Sequence, residues 1–421
     1  MPYNARFMCG FASTNSQLTC DGVSLSAIAS AVDTPTYVYS AAIIRNRLKA
    51  FGSAFSSYPH AIHYALKANS NLAVARVVRS AGGLVDANSG GEIELALRAG
   101  FDPLDIVFTG VGKTPTEIDR AVGLGLKAIN AESEGELGRI AVRARQLDTT
   151  ARVALRVNPD IDAVSHPHIS TGLKTHKFGV PISDARQIIR DASLHAGLSV
   201  VGLHVHVGSQ MMGLGPLRQA AKAVVELVAE LSDDGVVVEH LDMGGGLGIP
   251  YDGEQVPSVT AYATELIKIV ERSGLTLIIE PGRAIVGPAG VLLASVVDVK
   301  PKIDGGLFVV LDAGMSELMR PALYGAHHQI IPVEKSNCEL VTCDVVGPIC
   351  ESSDVFGVGR MLPRPEVGTV MAVLDAGAYG SAMSSNYNRH SLPVEVMVDG
   401  GDWRLVRRRQ TIEDQLACET G

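Results

Sequence analysis

Eight short apolar, β-branched runs recur between residues 61 and 282, each followed by a longer stretch of helical spacing. The runs are AIHYAL (61–66), GLVDA (83–87), DIVFTG (105–110), LKAINA (126–131), RVALRVN (152–158), VVGLHVHVGS (200–209), VEHLDMGGG (238–246) and LTLIIEPG (275–282). Between them, segments such as 72–82, 91–100, 185–197 and 217–231 carry apolar residues at helical period. Such alternation predicts a parallel sheet built from βαβ units. Eight strands predict a (β/α)8 barrel of the TIM type over about 55–285, close to the usual size for that fold. Strand counting alone leaves an open, doubly wound sheet as the alternative.

From about residue 290 the pattern changes to strands joined by turns, with little helix between them. The expected fold class is therefore α/β plus β: the barrel with a separate, mostly antiparallel C-terminal β domain. The early segment TPTYVYS (34–40) also reads as a strand and is expected to join the β domain. The expected division is 1–40 with the β domain, 41–285 as barrel and 286–421 as β domain.

Composition narrows the function. At 46% hydrophobic and 19% charged, the 421 residues can bury large cores, which excludes disorder. A net charge of −9, with no basic run beyond Arg407–Arg409, argues against nucleic acid as a partner. No apolar stretch reaches the roughly 18 residues of a spanning helix, and the first residues lack a signal-type apolar segment. A cytoplasmic protein, off the membrane, is expected. Cys9, Cys20, Cys338, Cys343, Cys350 and Cys418 form no CxxC pair and read as reduced thiols.

Catalytic groups of such barrels sit at the C-terminal ends of the strands. Those ends carry Lys67, Asp86, His206, Gly244, Gly245, Gly246 and Glu280. Lys67, closing an apolar run, is expected in a partly desolvated mouth where a neutral amine suits Schiff-base chemistry; a lysine snorkelling from a strand end is the alternative. Glu280 in IIEPGR would hold a pyridine nitrogen protonated, and Arg283 suits a phosphate or carboxylate; an internal ion pair of the two is the alternative. The glycines of MGGGLGIPY (243–251) follow the seventh strand, where barrels bind phosphate, unless they serve only a tight turn. In GLHVHVGSQ (202–210), His204 and His206 lie two apart on a strand and so share a face. They read as a metal pair or as an imidazole flat on a cofactor ring with Ser209 on its phosphate; for His204, a hydrogen-bonded core histidine is the plainer reading. No third and fourth ligand with clear spacing appears, HPH (166–168) falling in an apparent loop, so no metal is expected. In the β domain, Arg320 and Tyr324 of MRPALYGAHH could hold a carboxylate. Cys350 and Glu351 of GPICESSD pair a possible proton donor with an acceptor for an ammonium group, although a cysteine alone is more often a small buried hydrophobe.

Taken in order, YALKAN, HVGSQ, GGGLGIPY, EPGR, MRPALY, GPICESSD and DAGAYGSAMSSNYN (375–388) resemble the diaminopimelate decarboxylase family, of the alanine-racemase-like, fold type III group of pyridoxal-phosphate enzymes. The resemblance runs from TPTYVYS to RRRQT, and HPHISTGLKTHKFGV (166–180) is closer to this family than to the ornithine/arginine branch. It implies that Lys67 binds pyridoxal 5′-phosphate covalently, that His206 stacks on the ring and that Glu280 meets the pyridine nitrogen. It places Ser209, Gly244, Gly245, Gly246, Gly282, Arg283 and Tyr379 around the phosphate, and Asp86 near Lys67. Arg283, Arg320, Tyr324, Glu351 and Tyr379 match substrate contacts, and Cys350 the general acid. Lys67, Cys350 and His206 are thus the expected catalytic residues. It further implies a homodimer in which Cys350 and Glu351 reach the partner's barrel. The implied reaction is decarboxylation of meso-2,6-diaminoheptanedioate at its D centre to L-lysine, the last step of lysine biosynthesis. Asp33 stands where the family usually has glycine, and the N-terminal dozen residues have no counterpart.

Alternatives remain: a related decarboxylase for another amino acid (ornithine, lysine or a carrier-bound glutamyl type), or an amino-acid racemase. A racemase has no evident use for the Cys350–Glu351 segment or for MRPALY. A non-catalytic descendant would have lost Lys67, Cys350 or the glycine loop. A metal-dependent hydrolase would carry HxH on the first strand, not the sixth.

Overall fold

Strands buried on both faces need apolar side chains at nearly every position, and this is what makes the eight runs legible. The computed structural model describes residues 10–14, 16–161, 177–303 and 305–420; residues 166–168, most of 166–180 and most of the N-terminal dozen lie outside them. The barrel strands are β1 (His60–Ala65), β2 (Leu84–Ala87), β3 (Ile106–Phe108), β4 (Ala128–Ala131), β5 (Ala151–Asn158), β6 (Leu198–His204), β7 (His240–Asp242) and β8 (Thr276–Ile279). All pair in parallel with their neighbours, and β8 returns to β1 through Leu277 opposite His60, closing the cylinder. The open sheet is excluded. Val107, Ala128, Ala154 and Val201 form a small apolar cluster in its core.

Helices follow the strands after short turns ending in polar caps. Asn71, Ser89, Thr114, Ser133 and Ser258 each accept a backbone N–H from the first helical turn. Thr114 adds Pro115 and a reciprocal Glu117 bond, a capping box. These caps fix the chain at the C-terminal rim of the barrel, where the conspicuous polar residues lie.

By packing, the chain divides into two units. One comprises Asn46–Ile249 and Gln255–Ala284, and the other Met1–Arg45, Pro250–Glu254 and Ile285–Gly421. The five residues Pro250–Glu254 were not separable from the barrel in the sequence. In the β unit, the strand Gly290–Pro301 pairs antiparallel with Thr36–Ser40, Leu307–Leu311 and Val370–Val373. The sheet continues through Leu340–Val346 to Val355–Pro363 on one side, and through Val394–Asp399 to Asp402–Arg407 on the other. Two pairings are parallel, Leu307–Leu311 with Leu340–Val346 and Thr36–Ser40 with Val394–Asp399. The N-terminal segment also forms a three-stranded antiparallel sheet (Phe11–Thr14, Gln17–Cys20, Val23–Ser24) and a helix, Leu25–Val32. Asp33 ends that helix at φ 60° and ψ 168°, backbone space in which glycine is at ease and other residues are strained.

Candidate active site

The register of β1 and β2 pairs Ala65 with Asp86, so the residues just beyond come side by side on adjacent loops. Lys67 follows in a single 3-10 turn, Leu66–Ala68. Its Nζ donates to Asn88 Oδ1 at 3.3 Å and lies 3.7 Å from Asp86 Oδ2. Asn88 Nδ2 donates to the same carboxylate oxygen at 2.8 Å. Asn88 is itself held from below: its N–H donates to Glu92 Oε2 at 2.7 Å, on the helix that Ser89 caps. The partly desolvated mouth expected for Lys67 has a polar lining. Its side chain is 36% exposed and faces a carboxylate and a side-chain carbonyl, because the turn lifts it off the strand.

Glu280 stands at the end of β8, buried, with Oε2 3.5 Å from Nε2 of His204. Its Oε1 is buried and accepts from no N–H or hydroxyl among the described residues, while the Asp242 carboxyl hydrogen-bonds to the Glu280 carboxylate. Glu280 carries the floor's negative charge: burial alone would raise its carboxyl, but His204 and Lys67 outweigh burial and hold it below the ordinary range. The neighbouring acids yield to it. Burial, then the Glu280 charge, pushes Asp242 well above the usual value and Asp86 up to about 6. Among the described residues, His204, Asp242 and Glu280 bring ligand-type atoms within 4.8 Å of one another. An Asp242 kept protonated is a poor metal ligand.

β6 stops at His204, and beyond it the two histidines take different partners. His204 goes to Glu280, whereas His206 Nδ1 accepts the Gly245 N–H at 3.2 Å. Desolvation, then the charges of Lys67 and Arg156, press the His206 imidazole well below its ordinary value. It is a neutral ring. The glycines after β7 are needed because three loops converge there. A Cβ on Gly245 would overlap the Glu280 carbonyl, and one on Gly246 would overlap that of Gly208. Glu280 N–H donates to Gly244 O at 2.7 Å and Met211 N–H to Gly246 O at 2.8 Å. Gln210 clamps Ile249 through both its amide atoms. Arg283 Nη2 donates to Ser209 Oγ at 3.1 Å, and Gly282 packs against Ala68 beside Lys67. Lys67, Asp86, His206, Ser209, Gly244–Gly246, Glu280, Gly282 and Arg283 thus share one rim.

The other expected residues lie in the β unit. Arg320 opens the helix Arg320–Tyr324 and is buried. Cys350 and Glu351 are exposed, so Cys350 is no core hydrophobe. Asn388 Nδ2 donates to Cys350 Sγ at 3.4 Å and Tyr387 Oη to Glu351 Oε1 at 2.6 Å. Asp354 accepts the N–H groups of Ile349 and Met315, which fixes that loop. Tyr379 is half-buried at φ 55°. Asn88, Asp242, Tyr387 and Asn388 carry no signal of their own in the sequence, although three of them lie within the quoted motifs.

Residues 41–287 match the family described as pyridoxal-dependent decarboxylase, pyridoxal binding domain. The diaminopimelate decarboxylase of Neisseria meningitidis serogroup A is 44% identical over 402 residues, 96% of this chain and 98% of that one. The Helicobacter pylori diaminopimelate decarboxylase complexed with L-lysine superposes with a TM-score of 0.90 at 38% identity, covering 93% of this chain and 98% of that one. The M. jannaschii enzyme in complex with L-lysine gives 0.93 at 36% identity, covering 98% of each. Fold and site define a fold type III decarboxylase whose cofactor is pyridoxal 5′-phosphate. Within that class, the chain belongs to the diaminopimelate decarboxylase family. The residues fit the cofactor: the buried, anionic Glu280 carboxylate is an acceptor for a pyridinium N–H, and Lys67 stands on the same rim.

Proposed function

We propose that this enzyme decarboxylates meso-2,6-diaminoheptanedioate at its D centre, giving L-lysine and carbon dioxide. The observation that carries the reading is the pairing, on one barrel rim, of the Lys67 amine with the buried, anionic Glu280 carboxylate. When bound, pyridoxal 5′-phosphate supplies the electron sink for the bond that breaks. Lys67 would hold the cofactor through its amine, at the place where the substrate amine must also reach. Glu280, kept anionic, holds a proton at the pyridine nitrogen. The neutral His206 offers a flat face to the ring without adding charge. Ser209, Gly244, Gly245, Gly246, Gly282, Arg283 and Tyr379 bind the phosphate, with Arg283 already turned to Ser209. Asp86 balances the Lys67 charge. Arg283, Arg320, Tyr324, Glu351 and Tyr379 hold the substrate, and Cys350 returns a proton to its Cα.

The enzyme works as a homodimer, Cys350 and Glu351 serving the barrel of the partner subunit. Their exposure in the single chain supports this, since a proton donor to Cα must be enclosed to act in a water-poor site. It works in the cytoplasm. Five unpaired cysteines among the described residues suit a reducing compartment, and no helix there is long and apolar enough to cross a membrane. Incubating the holoenzyme with meso-, LL- and DD-diaminopimelate, lysine, ornithine and glutamate tests the reading. Carbon dioxide and L-lysine from the meso compound alone are expected; release from ornithine or lysine instead would overturn the substrate.

A further inference from the structure

Arg320 is gripped by side chains outside the short helix that carries it. Its guanidinium lies 4.3 Å above the Tyr251 ring, and Nη1 is 2.6 Å from Nε2 of His328. His328 is fully buried, and its Nδ1 is 2.7 Å from the Leu374 carbonyl oxygen. The Tyr251 ring meets the His328 ring edge to face at 5.1 Å. A carbonyl can only accept, so Nδ1 carries the proton and Nε2 keeps a lone pair. Arg320 is a pure donor, and the bond therefore runs from Nη1 to Nε2. The tautomer is set by the backbone, not by the arginine.

The consequence is specific. Tyr251 fixes the plane of the guanidinium and His328 fixes its rotation within that plane. Neither carries negative charge, so both orient the group without neutralising it. A carboxylate at the same place would hold Arg320 as firmly and spend its charge on an internal ion pair. A backbone-anchored imidazole adds no negative charge of its own to Arg320, and an incoming carboxylate's fork-to-fork pairing demands a fixed guanidinium plane.

We infer that His328 is a positioning residue for recognition of the substrate's distal carboxylate: through its Nε2 bond it aims Arg320 at that group. This rests on the reading that Arg320 contacts the substrate. His328 itself touches neither substrate nor cofactor.

The test compares wild-type, Arg320→Met, His328→Leu and His328→Gln holoenzymes on meso-diaminopimelate and on D-lysine. D-lysine is the same molecule without the distal carboxylate, and its affinity is read as KM or as a competitive inhibition constant. In His328→Leu, KM for meso-diaminopimelate should rise about tenfold or more, the scale of a lost hydrogen bond to a charged group. Its kcat and its affinity for D-lysine should stay near wild type. His328→Gln, which again offers an acceptor to Nη1, should recover most of the loss. Equal weakening of both ligands, or an unchanged KM in His328→Leu, would overturn the inference. Arg320→Met separates the two claims: if it weakens diaminopimelate alone while His328→Leu does not, only the role of His328 falls. If Arg320→Met changes nothing, the substrate contact itself is wrong. Should His328→Leu fail to fold, Tyr251→Leu carries the same expectation, because it removes the ring against which the guanidinium lies.

Discussion

Asp86 Oδ2 and Lys67 Nζ stand 3.7 Å apart, the first on a side chain with no exposure and the second on one open to solvent. The lysine therefore has its counter-charge on the buried side. Burial and Glu280 hold the Asp86 carboxyl up at about 6 despite that lysine. A raised acid favours the fold at low pH and loses that contribution as pH climbs from the unfolded value near 4 through about 6. Asp86→Asn should therefore unfold later than wild type at pH 8, by about 1–3 kcal/mol, with the gap closing near pH 4. Chemical denaturation at the two pH values checks this.

Glu280→Gln keeps the shape and removes the anion that His204 and Lys67 stabilise. Cofactor should still bind, while kcat falls on the order of 10²–10³, as for loss of one preorganised electrostatic group. Steady-state kinetics beside the cofactor absorbance spectrum separates the two effects.

Cys350→Ala should slow turnover by about 10²–10⁴, the usual worth of a positioned acid, with cofactor retained. Mixing Cys350→Ala with Lys67→Ala chains should restore activity by making one intact site per heterodimer. Subunit exchange without any recovery would refute the shared site.

Lys113 and Glu136 form an ion pair 2.7 Å long with side chains 1% and 3% exposed. Lys113 also donates to the carbonyls of Gly110 and Asn130. Lys113→Met should strand the Glu136 charge and cost about 3–5 kcal/mol, measured by thermal or chemical unfolding. Pairing it with Glu136→Leu should recover part of the loss.

Asp33 occupies backbone space suited to glycine. Asp33→Gly should raise stability by roughly 1 kcal/mol, relief of strain exceeding the added freedom of the unfolded chain. Differential scanning calorimetry would register it.

The barrel was legible because each of its strands is buried on both sides, so eight apolar runs stand out without an alternating pattern to decipher. The β unit was less so. Val355–Pro363 mixes glycine, arginine and exposed apolar residues, and Ile330–Pro332 is three residues long. Lysine, glutamate and glycine-rich loops at strand ends declared the site, since barrel geometry converts position along a strand into position on a rim. What lay hidden was support from afar. His328 aims Arg320 by way of Leu374 and Tyr251, and Asn388 reaches Cys350 across 38 positions. The turn that sets Lys67 beside Asp86 was also hidden, because a strand-end lysine does not announce it.

Reduction of the purified holoenzyme with borohydride, followed by peptide mass spectrometry, tests the central claim most directly. A pyridoxyl group on Lys67, and its disappearance in Lys67→Ala, is the predicted result. A pyridoxyl group on another lysine, or a protein that takes up no pyridoxal phosphate, would contradict it.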